Sequence, residues 1–336
     1  MRQITKFLLF VLATTLIYSC GSDGATATKP KKETSPKAAP VQIPGFNADS
    51  SFVFIEKQLA FGPRVPGTDT HKACKDWMVS KFKSYGAEVI EQDFKANFYT
   101  GETVDATNII AQFNPSMSKR IILAAHWDTR MFGDKDDDIS MRDKPIPGAD
   151  DGGSGVGILL EIGRLIKENP IGMGVDIILF DAEDQGKSGP DTPATYWCLG
   201  SQYWSKNKHR GNYQAMYGIL LDMVGAKNPT FGQDEYSLTY AGPQVKKLWS
   251  LAQRMGYSDM FVDQKTNGLI DDHVFVNTIA KIPMLDIINR TTSTESSFQK
   301  CWHTHCDDIS VIDKRSLKVV GQVVTAAIYK ESTGNF

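Results

Sequence analysis

Apolar residues along the chain form short uninterrupted runs that alternate with amphipathic stretches, and this pattern predicts alternating strands and helices. Strands are predicted at residues 87–94, 107–114, 120–128, 174–184, 217–226 and 282–289. Longer helices are predicted at residues 153–168, 243–256 and 314–332. Before these elements, Asp49 or Ser50 can cap a first helix, and Thr68 or Asp69 opens a second helix that ends at Gly86.

The predicted strands lack the polar–apolar alternation of strands with one solvated face, so we expect helices to cover both faces of their sheet. The fold class predicted is α/β, with a mainly parallel central sheet in a single domain. Ligands of such folds bind beyond the carboxyl ends of the strands. Polar residues of this chain are concentrated where predicted strands end, so the fold would collect them at one edge of the sheet.

Composition adds little to this picture. The chain has 336 residues, of which 41% are hydrophobic and 23% charged, so it can bury a full core and is not disordered throughout. A net charge of −2 gives no reason to expect nucleic acid or an anionic membrane surface as a partner. We expect a monomer.

The N-terminus has the anatomy of an export signal. Arg2 and Lys6 precede a short apolar run, and small or polar residues follow this run before Cys20. The run resembles a bacterial lipoprotein signal, which implies a lipid anchor at Cys20 in the periplasm or outer membrane; plain secretion with cleavage nearby is the alternative. The predicted segments are a signal at residues 1–20, a flexible tether at residues 21–44 and a folded catalytic domain at residues 45–336.

Acidic and imidazole side chains follow the predicted strands. The set comprises His126, Asp128, Asp150, Asp151, Asp181, Glu183, Asp184, Asp222, Asp271, Asp272, His273, His303 and His305. Singly, each has an ordinary explanation, such as a helix cap or a His–Asp hydrogen bond. Together they put many acids at an apolar sheet edge with few Lys or Arg nearby, which is costly unless the carboxylates are paired or coordinated. Carboxylates with imidazole favour zinc as the counter-charge.

Five motifs, HWD, GADDGGSG, FDAED, LDMVG and WHT, occur in an order that resembles the co-catalytic zinc aminopeptidases and their relatives, the animal-type (type II) glutaminyl-peptide cyclotransferases. The resemblance extends from about residue 45 to the C-terminus. It implies that Asp151, Asp184 and His303 bind zinc and that Glu183 is the general acid/base. It also implies a cis peptide bond after Asp151, and Asp181 is expected to support its neighbours.

Three segments resemble the cyclases more than the aminopeptidases: LLDMVGA, DDHVF followed by IPMLDII, and FQKCWHT. The resemblance implies that Asp222 and Asp271 are catalytic acids joined by a hydrogen bond. It also implies an aromatic substrate pocket formed by Phe298 and Trp302, with Trp197 as a further candidate.

We therefore predict a zinc-dependent aminoacyltransferase that cyclises the N-terminal glutamine of peptides and proteins to pyroglutamate and releases ammonia. One zinc ion is expected. A two-zinc aminopeptidase, with a second site at His126 and Asp222, remains open, as does a surface lipoprotein that only binds its ligand.

Two departures from the cyclase pattern concern single positions. Asp184 stands where animal cyclases have Glu, and Ile270 stands where Gln is familiar. Among the cysteines after Cys20, Cys301 and Cys306 are the obvious local pair, although the connectivity does not follow from the sequence.

Overall fold

The computed structural model describes residues 42–187, 193–290 and 298–336. Residues Pro40–Phe336 form one compact unit. The predicted export signal and nearly all of the predicted tether lie outside the described residues. Within the described ranges, no helix combines the length and the apolar character that crossing a membrane requires.

A six-stranded sheet lies at the centre of this unit. The strands of the described chain are β1 (Glu88–Asn97), β2 (Thr103–Phe113), β3 (Arg120–His126), β4 (Gly174–Phe180), β5 (Gly218–Asp222), β6 (Phe231–Asp234), β7 (Phe261–Thr266) and β8 (Met284–Ile288). The strand order of the central sheet is β1-β2-β4-β3-β5-β8, while β6 and β7 pair separately in parallel.

Strands β4, β3, β5 and β8 run parallel to one another, whereas β2 is antiparallel to both β1 and β4. The prediction of a single α/β domain with a mainly parallel sheet is confirmed. Strand β2 runs in the opposite direction because only residues 98–102 connect it to β1, and a parallel pair needs a crossover connection of a dozen or more residues.

Helices pack on both sides of the sheet, as predicted. They are α1 (Ala48–Leu59), α2 (Asp69–Ser84), α3 (Gly153–Glu168), α4 (Leu199–Lys206), α5 (Glu235–Arg254), α6 (Asp272–Phe275) and α7 (Lys314–Ser332). Alternate residues of β3 belong to different cores: Leu123 packs with the larger hydrophobic cluster and Ile122 with the smaller one on the opposite face. Both faces of the strand are therefore buried, which explains its uninterrupted apolar run.

Helix starts differ from the predictions in two places. Asn47, rather than Asp49 or Ser50, caps α1, because its side-chain oxygen accepts the backbone N–H groups of both. Helix α5 begins at Glu235 instead of Pro243, because a kink at Ala241 (φ −130°, ψ 28°) accommodates the proline inside the helix. The predicted cap of α2, Thr68, is confirmed.

Candidate metal centre and substrate pocket

The carboxyl ends of β4, β3 and β5 lie side by side and carry most of the predicted site. His126 ends β3, Asp222 ends β5, and the segment from Asp181 to Asp184 directly follows β4. Asp151 precedes α3, whose close approach to the sheet depends on glycine: a Cβ at Gly155 would lie 2.5 Å from the carbonyl oxygen of Leu221. This packing brings Asp151 over the same edge.

Asp151, Asp184 and His303 form the first of two clusters of metal-ligating groups, with ligand atoms within 4.8 Å of one another. His303 Nε2 lies 3.0 Å from Asp184 Oδ1 and 3.8 Å from Asp151 Oδ2. Asp184 Oδ2 is buried and accepts no hydrogen bond from the described residues. Two carboxylates and an imidazole with an unsatisfied oxygen between them fit a zinc ion that keeps an open position for substrate.

The second cluster contains His126, Asp151 and Asp222. His126 Nε2 lies 3.0 Å from Asp151 Oδ1 and 3.2 Å from Asp222 Oδ1. Asp151 therefore belongs to both clusters and directs a different oxygen towards each. The donor set can hold either one ion or two, so both arrangements considered from the sequence are compatible with it.

Buried carboxylates hold the backbone of the metal-ligating residues in place. Asp128 accepts the backbone N–H groups of Glu183 (3.0 Å) and Asp184 (3.2 Å), and stands 3.6 Å from His126 Nδ1. Asp307, which the sequence interpretation missed, accepts the backbone N–H of Asp151 at 3.1 Å. These bonds fix the positions of acids that would otherwise repel one another.

Four residues that are not glycine have positive φ angles next to or within the site. They are Ala182 (54°), Cys198 (58°), Met223 (46°) and His303 (57°). Such conformations are uncommon and cluster at functional sites. Ala182 turns the chain between Asp181 and Glu183, and Asp181 Oδ1 accepts its backbone N–H at 2.8 Å. The expected supporting role of Asp181 agrees with this contact.

Glu183 lies at the base of the cleft and is only 9% exposed. Burial raises the pKa of its carboxyl well above the usual range, His126 opposes the shift, and Asp184 and Asp271 add to it. Its Oε1 accepts a hydrogen bond from the thiol of Cys198 at 3.2 Å. A carboxyl with a raised pKa can both take and return a proton near neutral pH.

A hydrogen bond was expected between Asp222 and Asp271. Among the described residues, these two carboxyl groups do not make it. Asp222 is held by His126, and burial raises the pKa of its carboxyl to about 7 despite that contact. Asp271 caps α6, and its carboxyl lies within 4.8 Å of the ligand atoms of His273 and Asp286. The cap uses Oδ1 of Asp271, whereas its Oδ2 has no hydrogen-bond partner among the described residues and the side chain still lines the cleft.

A cavity of about 320 Å³ opens above the first cluster. All three predicted aromatic residues, Trp197, Phe298 and Trp302, line it together with Asp222 and Asp271. The Trp302 ring stacks on the imidazole of His303 with centroids 3.7 Å apart, and Phe298 lies 4.5 Å from Trp302. The aromatic walls are therefore packed directly against a metal-ligating side chain.

Arg130 is a buried cation close to these acids that the sequence did not single out. It is 2% exposed and donates to the backbone oxygens of Asp184 and Gly186 at 3.0 Å and to Asp134 Oδ1 at 2.6 Å. Its guanidinium also lies 5.0 Å from the centroid of the Trp197 ring. Arg130 lies two residues after the HWD motif. Nothing in the sequence indicated that this charged loop residue would be buried.

Asp134 was likewise not identified from the sequence. Its Oδ1 lies 3.3 Å from His303 Nδ1, the ring nitrogen that points away from the first cluster. Carboxylates in this position orient metal-ligating imidazoles and select their tautomer. Burial raises the pKa of Asp134, but the nearby His303 imidazole and the hydrogen bond with Arg130 lower it more, so the carboxyl is held well below its usual pKa.

The loop that carries His303 is closed by a disulfide between Cys301 and Cys306, the pair suggested by their spacing. Cys74 and Cys198 are free and buried. The cis peptide bond expected after Asp151 is not found, since every described peptide bond is trans. Gly152 makes the turn into α3 instead, with a φ of 85°.

Comparisons with known proteins agree with this geometry. Residues 108–328 match the sequence profile of Peptidase family M28. The solved structure of Bacteroides thetaiotaomicron glutaminyl cyclase bound to N-acetylhistamine is 44% identical, with a TM-score of 0.83 over 86% of this chain and 99% of that one. A Zn-dependent exopeptidase from Parabacteroides distasonis is 46% identical, with the same TM-score and coverage.

A curated relative, aminopeptidase YwaD of Bacillus subtilis, is 28% identical over 71% of this chain. The match spans 47% of the length of that aminopeptidase. Similar proteins thus include both cyclases and peptidases.

Proposed function

The chain belongs to peptidase family M28, and from that premise we propose that it is a zinc-dependent glutaminyl cyclase. It converts the N-terminal glutamine of peptides and proteins to pyroglutamate and releases ammonia. The observation that carries this proposal is the pocket, in which a metal-ligating cluster lies beneath three aromatic walls in about 320 Å³. This volume is near the lower limit of ligand pockets, roughly 300 Å³, and suits one side chain.

The similarity to a bacterial glutaminyl cyclase over nearly its whole length supports the same reaction. Assignment to the animal-type (type II) class is the finer part of the proposal. It rests on the DDHVF and FQKCWHT segments, which supply Asp271, Phe298 and Trp302 to the pocket.

Asp151, Asp184 and His303 would hold one zinc ion. When bound, zinc supplies a Lewis acid that polarises the γ-carbonyl of the glutamine side chain. His126 Nε2 already lies within hydrogen-bonding distance of Asp151 and Asp222, so a proton on that nitrogen satisfies the second cluster without a second ion. This is why we propose one zinc.

Glu183 takes a proton from the α-amino group of the substrate and returns it to the departing amide nitrogen. Asp222 and Asp271 bind the substrate amine from the side of the pocket. The nucleophile and the carbonyl belong to one molecule, so the protein contributes chiefly by alignment. Trp197, Trp302 and Phe298 provide that alignment, because they confine the glutamine side chain.

The rival function is a two-zinc aminopeptidase, which the cluster of His126, Asp151 and Asp222 specifically favours. The test is to incubate the purified protein with peptides that begin with glutamine, identify the products by mass spectrometry, and measure bound zinc. Ammonia, pyroglutamyl peptide and one zinc per chain are expected. Free glutamine with two zinc ions would overturn the cyclase proposal.

Substitution of the proposed acid/base separates catalysis from binding alone. Glu183→Gln is expected to lower kcat by about 10²–10⁴-fold and to retain zinc, because the amide preserves the shape of the side chain but cannot carry the proton. Glu56→Gln, an exposed position of α1, serves as the matched control. Full turnover by Glu183→Gln would remove this residue from proton transfer.

We also propose that the protein is exported, tethered through residues 21–44 and lipid-anchored at Cys20 in the periplasm or outer membrane, and that it acts as a monomer. The residue pattern of the first 20 positions supports the anchor. Cys20→Ala is expected to shift the protein from the membrane fraction to the soluble fraction. Retention of that variant in the membrane would contradict the anchor.

A further inference from the structure

A second cavity, of about 770 Å³, adjoins the glutamine pocket. We propose that it binds the substrate residues that follow the N-terminal glutamine and that it prefers acidic side chains at the second and third positions. This inference rests on the proposed function, because it takes the first pocket as the site of the glutamine.

Two lysines join the cavities. Lys187 lines both of them. Lys135 lines the second cavity, and its ammonium lies 5.7 Å from the ring centroid of Trp302, a wall of the first. Its backbone N–H donates to the carbonyl oxygen of His303 at 3.2 Å. A peptide with its first side chain in the glutamine pocket therefore has the second cavity next to its continuing backbone.

The lining of the second cavity has an excess of positive charge. Arg130 and Asp134 neutralise each other through a hydrogen bond of 2.6 Å. The remaining charged groups are three cations, Lys135, Arg142 and Lys187, against a single acid, Asp143. Within the described part of the chain, none of these three cations forms an ion pair with a carboxylate. Each can therefore meet a carboxylate of the substrate without breaking an existing pair.

The neighbouring acids of the same loop do not reverse this balance. Asp136 accepts from His305 Nδ1 at 2.6 Å, and Asp138 caps a short helical turn by accepting the backbone N–H of Ser140. Neither these two acids nor Asp137 lines the cavity. The carboxylates of Asp136 and Asp138 are directed at these partners and not at the space that a peptide would occupy.

Apolar side chains complete the cavity. Tyr99, Phe132 and Ile139 contribute to its lining, and Ile139 is 76% exposed. The ammonium of Lys187 lies 5.8 Å from the centroid of the Tyr99 ring. A peptide backbone lying over these groups would cover apolar surface while its acidic side chains reach the cations. The surface thus matches an acidic peptide segment in both polarity and charge.

The test compares peptides that begin with glutamine and carry Glu, Ala or Lys at the second or third position. Ammonia release at low ionic strength is expected to give kcat/KM in the order Glu, Ala, Lys, with about a fivefold difference between Glu and Lys, since exposed ion pairs contribute modestly. The preference should appear mainly in KM and weaken with added salt, because the cations act by binding.

Single substitutions test whether the preference for acidic peptides arises from this cavity. Arg142→Ala and Lys187→Ala are each expected to reduce the preference for Glu over Lys, whereas Lys246→Ala, an exposed position of α5, should leave it unchanged. Equal kcat/KM for Glu and Lys peptides would overturn the inference and leave the cyclase function standing. Absence of ammonia from every peptide would overturn the proposed function and this inference with it.

Discussion

Strand β4 has buried carboxylates near both of its ends, and their surroundings differ. Near its start, Asp176 is fully buried and its two oxygens accept from Arg120 Nε and Nη2 at 2.6 Å each. Gln112 donates to it at 3.0 Å, and the hydroxyl of Tyr213 donates to it as well. Every oxygen of this carboxylate is satisfied by the protein itself.

Beyond the other end of β4, Asp184 is 2% exposed and one of its oxygens has no donor among the described residues. Burial raises the pKa of its carboxyl, His303 opposes the shift, and Asp151 adds to it. Two buried acids near the ends of one strand therefore differ in what balances them. Arg130 Nη1 contacts Asp184 Oδ1 at 3.4 Å, so the protein balances this carboxylate only in part. The unpaired Oδ2 indicates that a group from outside the chain completes the balance, and the ligands present fit a divalent cation.

The largest expected effects come from replacing each of these two carboxylates, in turn, by a neutral amide. Asp176→Asn should lower the free energy of unfolding by about 3–5 kcal/mol, because it leaves Arg120 buried without its partner. Asp184→Asn should instead abolish zinc binding, while the zinc-free protein becomes no less stable, because one of several mutually repelling acids is gone.

Urea denaturation of both variants without zinc, together with measurement of bound zinc, checks this contrast. Comparable destabilisation by the two substitutions would contradict it, because Asp184 would then be balanced by the protein in the same way as Asp176.

The stability that the network around Asp176 contributes should also depend on pH, because His209 titrates. Burial lowers the pKa of this imidazole from 6.5 to about 4; the charge of Asp176 opposes the shift, and Arg210 and Arg120 add to it. Its Nδ1 accepts a hydrogen bond from Trp204 Nε1 at 3.0 Å, which a protonated ring cannot do. Below pH 6.5, His209 binds a proton in the unfolded chain, whereas in the folded chain it binds one only at about pH 4.

The contribution of His209 to stability is therefore full above pH 6.5 and is lost as the pH falls towards 4, by at most about 3 kcal/mol. His209→Asn supplies an acceptor that does not titrate, so the variant should lose less stability than the parent over this range. Parallel curves of unfolding free energy against pH for the two proteins would rule out this contribution.

The disulfide in the loop of His303 is expected to contribute less to stability than these groups, but to affect the affinity for zinc clearly. Closing a short loop contributes about 2 kcal/mol by restricting the unfolded chain. Because Cys301 and Cys306 flank His303, replacing both by Ser should also weaken zinc binding, by about tenfold, as measured by chelator competition. Cys74→Ala, which removes a free cysteine, should leave zinc binding intact; an unchanged affinity in the double variant would refute the link.

Much of the sheet could be predicted because its parallel strands are mostly apolar and several acids follow them directly. Asp151, Asp184 and His303 were chosen from a larger set of acids and imidazoles because their motifs resemble those of the zinc aminopeptidases and cyclases, and the structure brings the three together. The N-terminal half of α5 was missed because Pro243 normally marks a helix start, and only the kink at Ala241 makes it an interior residue.

The supporting residues of the site could not be predicted for a different reason. Asp307 contacts the backbone of a residue 156 positions away, and Arg130 contacts Asp184 across 54 positions. Contacts of this length depend on how the loops fold over the sheet edge. No periodicity or spacing in the sequence distinguishes these residues from ordinary charged residues on the surface.

The smallest expected effect concerns backbone strain at the metal end of β4. Ala182 has a φ of 54°, a conformation that costs a non-glycine residue about 1–2 kcal/mol, and it directs Glu183 into the cleft. Ala182→Gly should raise the free energy of unfolding by less than about 1 kcal/mol, because the gain is offset by entropy and by loss of a buried methyl group. Lys281→Gly, at an exposed residue with a φ of 59°, is the matched control.

Only the Ala182 variant should lower kcat, because the added backbone freedom reaches Glu183, whereas relief of strain at Lys281 affects stability alone. Zinc content should be unchanged in both, since Asp128 still holds the backbone of Asp184. Turnover and thermal unfolding measured side by side decide the matter: equal kcat in the two variants would mean that the strain at Ala182 does not position the acid/base. The function of the metal end of β4 would then depend on its charge balance and not on the backbone strain at Ala182.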